Sequence, residues 1–517
     1  MVTLKFMNKL KQNKSLILII LLILFGAIIR VALIDKVPNA LNVDEVSAGY
    51  EAYSVLNYGV DRNGNFLPVH FVAWGSGQNV LYSYIMIPFI LIFGLNVFSI
   101  RLPMALIGVL ALFLFYKFIK NVENKKVAII GLAFLVICPW HIMKSRWGLE
   151  SNILPELILL SSFILIKYIR TKNAKLLYLF AGVLGISTYA YGTSYFFVPV
   201  FLGITLIYLL YKKNIKISQA IKTLLITGII ASPLIIFTII NTFDLPQINL
   251  GFTTIPRLTA NRYQEVSSVF SSSFLKNSLN NFIESIKILI FQNDKLEWNS
   301  LKWYGICYIF SIPFMILGIF INFRKNKDDI SKNIINIWFI SSLLLMFVCE
   351  PNINRINVIM FPIIYYVVIG ISATIEKCKK IIPSILILLY IYSFISFGLY
   401  YFNKNFDEMF VFEGGLQEVI EYVDSKEKNV YITNKIKEPY IYVLFYTKSS
   451  PVEFKENVTY FTKGSNFEVV KSFGKYNFYI PADIVNDGIY VIRKDDIEKI
   501  NLDGFEVKDF GKYVVLE

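Results

Sequence analysis

Apolar residues form long blocks along the first four hundred positions of the chain, and short polar segments separate the blocks. From Ser15 onward, runs of roughly 15 to 23 apolar residues recur, close to the roughly 20 that an α-helix needs to cross a bilayer core of about 30 Å. The pattern predicts about eleven transmembrane helices. They lie near residues 15–34, 98–117, 127–140, 153–168, 176–190, 194–211, 223–241, 303–322, 333–349, 355–375 and 381–401.

Short clusters of Lys and Arg between these blocks give their orientation. Cytoplasmic loops collect such residues, so we place the basic segments inside and expect each pair of spans to turn at the outer face. The apolar stretch from Val80 to Gly94 breaks this alternation and is short for a span, so we interpret it as a juxtamembrane helix at the outer interface. The predicted external segments are residues 35–98, 140–152, 190–194, 241–301 and 349–354, followed by an external tail.

The pattern changes after Tyr401, where charged residues become frequent and apolar runs become short. The runs "NVYIT", "YIYVLFYT", "GIYVIR" and "KYVVLE" are typical of strands, and "GLQEVIEYVDSKE" is typical of a helix. We therefore predict an all-α polytopic membrane domain over residues 1–402, with an external loop at 35–98 and an external cap at 241–301. A small external α/β domain over residues 403–517 follows it.

Composition supports this class and argues against others. Hydrophobic residues make up 55% of the chain, charged residues 17%, and the mean hydropathy is +0.55. The net charge of +14 is spread over short loops rather than over one basic face, which argues against nucleic acid as a partner. The four cysteines show no CxxC spacing, so neither a zinc site nor a disulfide framework is indicated. The abundance of Ile, Lys and Asn points to a bacterial plasma membrane.

Ionisable residues of the predicted spans gather near the external ends, and the mid-membrane is almost empty of charge. Ion-coupled transporters need such groups near the midplane, so their scarcity disfavours a transporter. The outer groups begin with two adjacent carboxylates, Asp44 and Glu45, in the first external loop. The others at this depth are Arg101, Lys144, Arg146, Glu150 and Arg355.

Carboxylates that accept a proton, opposite cations that hold a phosphate, suit the displacement of a lipid phosphate from a sugar. The competing interpretation of the acidic pair is structural. Asn42 or Asp44 would cap a short helix that runs through Ala48 to Leu56.

At these residues the chain resembles the GT-C superfamily of polyprenyl-phosphate-dependent membrane glycosyltransferases, which includes protein O-mannosyltransferases and aminoarabinose transferases. The "DE" at Asp44 and Glu45 carries the resemblance, together with "GVDRNGNFLP", "FGLNVFSIRLPMALIG", "CPWHIMKSRWGLESN" and "NINRINVIMFP". It implies that Asp44 is the general base for the acceptor and that Glu45 orients or assists it. It also implies that Arg101 and Arg146 serve the donor phosphate or brace the acidic loop, and that Glu150 is a second acidic member.

The predicted function is therefore inverting transfer of a sugar from a polyprenyl-phosphate carrier to an acceptor hydroxyl at the external face. The acceptor is a protein, a cell-wall polymer or a lipid, and the pattern does not select the sugar. Relatives differ in whether they bind a divalent metal, and the two histidines, His70 and His141, are interpreted as interfacial or structural. The alternatives are a flippase or transporter for lipid-linked glycans and an inactive membrane scaffold for cell-wall assembly.

Overall fold

The computed structural model of the chain is mostly helical. It describes residues 2–260, 273–301, 304–325, 328–378, 381–404 and 412–517, apart from residues 466, 483, 485–486 and 500–501. The helices up to the tail are α1 (Val2–Val31), α2 (Val43–Tyr58), α3 (Leu81–Phe93), α4 (Val97–Val122), α5 (Lys125–Ile137), α6 (Pro139–Ser145), α7 (Leu154–Thr171), α8 (Ala174–Ser187), α9 (Ser194–Tyr211), α10 (Ile217–Thr242), α11 (Phe274–Phe291), α12 (Ile312–Lys325), α13 (Ile330–Val348), α14 (Met360–Lys377) and α15 (Ile381–Phe402).

A helix occupies each predicted span position, and the multi-pass membrane architecture is confirmed. Within the described ranges, eight helices are long and apolar enough to cross a membrane, and α5 with α6, bent by 59°, would make a ninth. The helices α8 and α12 have 14 residues each, which is short for a bilayer core of about 30 Å. The count of eleven spans therefore stays a prediction.

The first predicted external loop contains two helices, α2 and α3. The helix α3 is 13 residues long and matches the stretch from Val80 to Gly94 that we interpret as juxtamembrane. The predicted external cap begins with a hairpin of β1 (Ile248–Asn249) and β2 (Thr254–Ile255) and continues into α11. Residues 261–272 of this cap lie outside the described residues.

The tail contains a seven-stranded mixed sheet and the helices α16 (Leu416–Asp424), α17 (Pro439–Thr447) and α18 (Pro451–Asn457). The strands are β3 (Asn429–Ile432), β4 (Thr459–Thr462), β5 (Val469–Phe473), β6 (Tyr476–Asn477), β7 (Gly488–Arg493), β8 (Val507–Phe510) and β9 (Tyr513–Leu516), in the order β4-β5-β6-β3-β7-β9-β8. Strand β3 pairs in parallel with β6 and β7, and the other pairs are antiparallel.

One strand prediction in the tail is wrong, because "YIYVLFYT" forms the helix α17. Its apolar residues are buried all round, and a short continuous apolar run does not distinguish a buried strand from a buried helix. Pro439 at the first helical position favours the helix.

The helix α17 packs against α2, and residues of both belong to one hydrophobic core. The Tyr50 hydroxyl donates to the Ser449 carbonyl at 2.8 Å, and the Tyr53 hydroxyl donates to the Lys448 carbonyl at 3.2 Å. The first loop of the membrane part and the tail are therefore joined by a shared core.

Candidate active site

The helix α2 begins at the acidic pair and has a complete capping box. The Asn42 side chain accepts a hydrogen bond from the Asp44 backbone N–H at 2.8 Å. The Glu45 carboxylate accepts one from the Asn42 backbone N–H at 3.2 Å. This pattern satisfies two N–H groups that the start of a helix leaves without intrahelical partners. Capping therefore falls to Asn42 and Glu45, and Asp44 has a different environment.

Burial separates Asp44 from all its neighbours. Every residue from Ala40 to Ala52 is buried except Asp44, which is partly exposed. An acidic side chain at the first turn of a helix is also stabilised by the helix dipole. The fold thus holds the backbone around Asp44 rigidly and leaves its carboxylate accessible.

Glu45 and Arg101 form a buried ion pair, and both side chains are 0% exposed. The guanidinium Nε and Nη2 donate to the two carboxylate oxygens at 2.8 and 2.9 Å, and the Gly148 backbone N–H donates to the carboxylate at 2.9 Å. Arg101 also donates to the carbonyls of Ile34, Pro38 and Ala40. The pair therefore holds the chain between α1 and α2 against α4.

Arg146 and Lys144 are also buried and are held by groups of the protein. Arg146 donates to four carbonyls at the end of α1 and just beyond it, at 2.8 to 2.9 Å, those of Ile29, Ala32, Leu33 and Val37. Such donors satisfy carbonyls that a helix end leaves without partners. Lys144 forms an ion pair with Glu156 and lies 4.5 Å from the centre of the Trp140 ring.

Glu150 and Arg355 are partly exposed, as Asp44 is, and they lie in the same region. The Asp44 and Glu150 carboxylates are close enough to repel each other, and the Tyr191 hydroxyl interacts electrostatically with Arg355 and with both carboxylates. The Asn79 backbone N–H donates to Glu150 at 2.7 Å. Two carboxylates, a phenol and a guanidinium thus meet beside the start of α2.

Tyr191 was not among the candidates from the sequence. It belongs to "YAYGTSY" in a predicted external turn, and the cluster of aromatic residues there was the available signal. Burial raises the pKa of Tyr191 to about 12, so at neutral pH its hydroxyl keeps its proton and can donate a hydrogen bond. Asn79 was also missed, because its contact with Glu150 joins segments 71 residues apart.

The histidines lie away from this group. His70 stacks on Phe237 with ring centres 4.2 Å apart, and burial lowers its pKa to about 4. The Nε and Nη2 of Arg30 contact Nδ1 of His141 at 3.1 and 2.6 Å. Within the described ranges, no group of three or more His, Cys, Asp or Glu side chains is placed to hold a metal ion.

The profile of the dolichyl-phosphate-mannose-protein mannosyltransferase family matches residues 78–237. The chain also superposes on ArnT from Cupriavidus metallidurans bound to undecaprenyl phosphate, with a TM-score of 0.55 and 10% identity over 96% of this chain and 97% of that one. This chain has the GT-C fold. The predicted relationship to the GT-C membrane glycosyltransferases is confirmed, and the shared fold covers the tail as well as the membrane part.

A second GT-C structure gives the same result over a smaller share of its length. The archaeal oligosaccharyltransferase AglB from Archaeoglobus fulgidus, in complex with an inhibitory peptide and a dolichol-phosphate, superposes with a TM-score of 0.54 and 11% identity. The match covers 84% of this chain and 64% of AglB, so the chain spans less than two thirds of that protein. No curated protein matches the sequence significantly.

Proposed function

We propose that this GT-C protein transfers a sugar from a polyprenyl-phosphate carrier to an acceptor hydroxyl at the external face of a bacterial plasma membrane. One observation carries the proposal: Asp44 is accessible within a buried stretch, and Glu150, Tyr191 and Arg355 surround it. The matched family and the ArnT structure with undecaprenyl phosphate support the class of donor.

Asp44 is the general base in this proposal. Its carboxylate takes the proton from the acceptor hydroxyl as the hydroxyl oxygen bonds to the anomeric carbon of the sugar. Glu150 lies close enough to disfavour a second negative charge at this position, which makes proton uptake by the acidic pair easier. Attack on the face opposite the phosphate gives inversion at the anomeric carbon.

The bond between the anomeric carbon and the phosphate oxygen breaks in the same step. The polyprenyl phosphate leaves with an additional negative charge, which requires nearby donors. Arg355 supplies a guanidinium, and Tyr191 supplies a neutral hydroxyl. Arg355 also pairs with Glu350, whose side chain is 65% exposed, so this pair can open toward water when a phosphate arrives.

The remaining candidates take positioning roles in the proposal. Glu45 and Arg101 fix the start of α2, Arg146 holds the end of α1, and Lys144 is paired with Glu156. Their donors face protein carbonyls and carboxylates, which favours bracing of the acidic loop over binding of the donor phosphate. The acceptor class, whether protein, cell-wall polymer or lipid, is left to experiment.

Arg355→Gln should raise the KM for the lipid-linked donor about tenfold or more, because a hydrogen bond to a charged group contributes about 1.5–3 kcal/mol. Arg355→Lys keeps the charge but loses the planar pair of donors, so an intermediate KM is expected. The matched control is Arg257→Gln, which removes an exposed guanidinium outside the site. An equal donor KM in Arg355→Gln and the parent would remove Arg355 from the phosphate site.

The external location of the site can be tested by labelling intact cells. A cysteine at Glu456 in the tail should react with a membrane-impermeant maleimide, whereas a cysteine at Lys120, in a predicted cytoplasmic segment, should react only after permeabilisation. Both positions are exposed to solvent in the folded chain. Labelling of Lys120→Cys in intact cells would overturn the orientation and restore α3 as a span.

A further inference from the structure

The segment that follows α10 exposes an unusual number of large apolar side chains. Residues 243–255 leave the helix and fold into the β1–β2 hairpin. The exposed side chains include the ring of Phe252, which is 72% accessible, and the full set is Phe243, Leu245, Ile248, Leu250 and Phe252. Contiguous exposed apolar surface of this kind marks an interaction site.

The length of α10 places the base of this hairpin at the outer boundary of the bilayer. The last charged residue at the inner end of the helix is Lys222. From Thr223 to Thr242 the helix has about 20 residues, which at about 1.5 Å each give the roughly 30 Å of a hydrocarbon core. Phe243 therefore follows the span where the hydrocarbon ends.

The return strand packs back along the helix. Ile255 and Leu258 form a small core with Leu234 and Phe237, which lie one to two turns before the end of α10. The Asn241 side chain fixes this arrangement by accepting from the Leu258 backbone N–H at 2.7 Å and donating to the Pro256 carbonyl at 3.2 Å. The base of the hairpin thus lies beside the outer end of the span.

The exposed apolar surface is continuous from the helix to the hairpin. On α10 the side chains of Ile235, Ile236 and Ile239 are exposed, and Phe243 continues this row one turn later. On a membrane-spanning helix such a row faces lipid. Continuity with that row is the observation that selects the partner.

We propose that residues 243–252 insert into the outer leaflet and that their apolar side chains contact lipid acyl chains. The hairpin is an anchor for the first external loop, because β2 pairs with that loop. Val69 N–H donates to the Thr254 carbonyl at 3.0 Å, Thr254 N–H donates to the Phe66 carbonyl at 2.9 Å, and the Thr253 hydroxyl donates to the Leu67 carbonyl at 2.7 Å.

Because the same loop contains α2, the anchor holds Asp44 at a fixed height above the lipid surface. A donor whose phosphate is attached to a membrane lipid presents its sugar near that surface. This consequence for catalysis rests on the proposed function, whereas the insertion itself does not.

The test measures the depth of a fluorophore attached to the hairpin. Phe252→Cys is labelled with NBD in a background where the half-buried Cys378 is serine, and the protein is placed in nanodiscs of phosphatidylethanolamine and phosphatidylglycerol with or without doxyl-labelled phosphatidylcholine. We expect the doxyl lipid to quench the label at least twofold more than a label at Glu456→Cys in α18. Leu250→Cys is a second position that serves if Phe252→Cys does not fold.

Equal quenching at the hairpin and at α18 would overturn the insertion. A blue-shifted emission without lipid quenching would also overturn it, since it would show that a second protein copy covers the patch. Neither readout requires sugar transfer, so failure here is distinguishable from failure of the proposed enzymatic activity.

Discussion

Replacing Asp44 by asparagine is expected to lower the rate of sugar transfer by about 10² to 10⁴, the usual contribution of a general base. Asparagine keeps the size of the side chain but does not take up a proton at neutral pH. The fold should survive, because the cap of α2 is formed by Asn42 and Glu45. The measurement is the transfer rate at saturating donor, together with the thermal unfolding temperature of the purified protein.

The matched control is Asn42→Ala, which removes the cap and leaves the proposed base in place. It should lower the free energy of unfolding by about 1 kcal/mol and have a much smaller effect on the transfer rate than Asp44→Asn. If Asp44→Asn keeps more than about a tenth of parental transfer, Asp44 is not the base. Glu150 is then the next carboxylate to replace.

Arg101→Met is expected to lower the free energy of unfolding by about 3–5 kcal/mol, because it leaves the buried Glu45 carboxylate without its cation. It also removes the donors to the Ile34, Pro38 and Ala40 carbonyls. Unfolding in detergent, followed by intrinsic fluorescence, measures this loss.

A double-mutant cycle with Glu45→Gln separates the pair from other effects. The double variant should be less destabilised than the sum of the two single variants, since both charges are then absent. An Arg101→Met protein with parental stability and a raised donor KM would contradict this role and return Arg101 to the phosphate site.

The membrane architecture could be predicted because apolar blocks of span length have one economical fold in a bilayer. The 14-residue helices α8 and α12 show the limit of this reasoning, since the length of an apolar block gives only an approximate helix length. The sequence also did not distinguish a strand from a buried helix at residues 440–447, because burial on all sides removes the periodicity.

The candidate site could be predicted in part. The sequence places Asp44, Glu45, Arg101 and Arg355 at one depth, but it does not show which way each side chain points. Arg101 is directed to backbone carbonyls, and carbonyls carry no signature in a sequence. Tyr191 meets the acidic pair only through the packing of distant segments, so its contact appears only in the fold.

The most direct test of the central claim is release of the lipid carrier. Purified protein in nanodiscs would be incubated with a panel of synthetic polyprenyl-phosphate hexoses and an extract of bacterial membranes as acceptor, and free polyprenyl phosphate would be measured by mass spectrometry. We predict that at least one donor releases polyprenyl phosphate in step with glycosylation of the extract, and that the Asp44→Asn protein does so about 10² times more slowly or less. Release from none of the donors, or equal release by Asp44→Asn, would contradict the account.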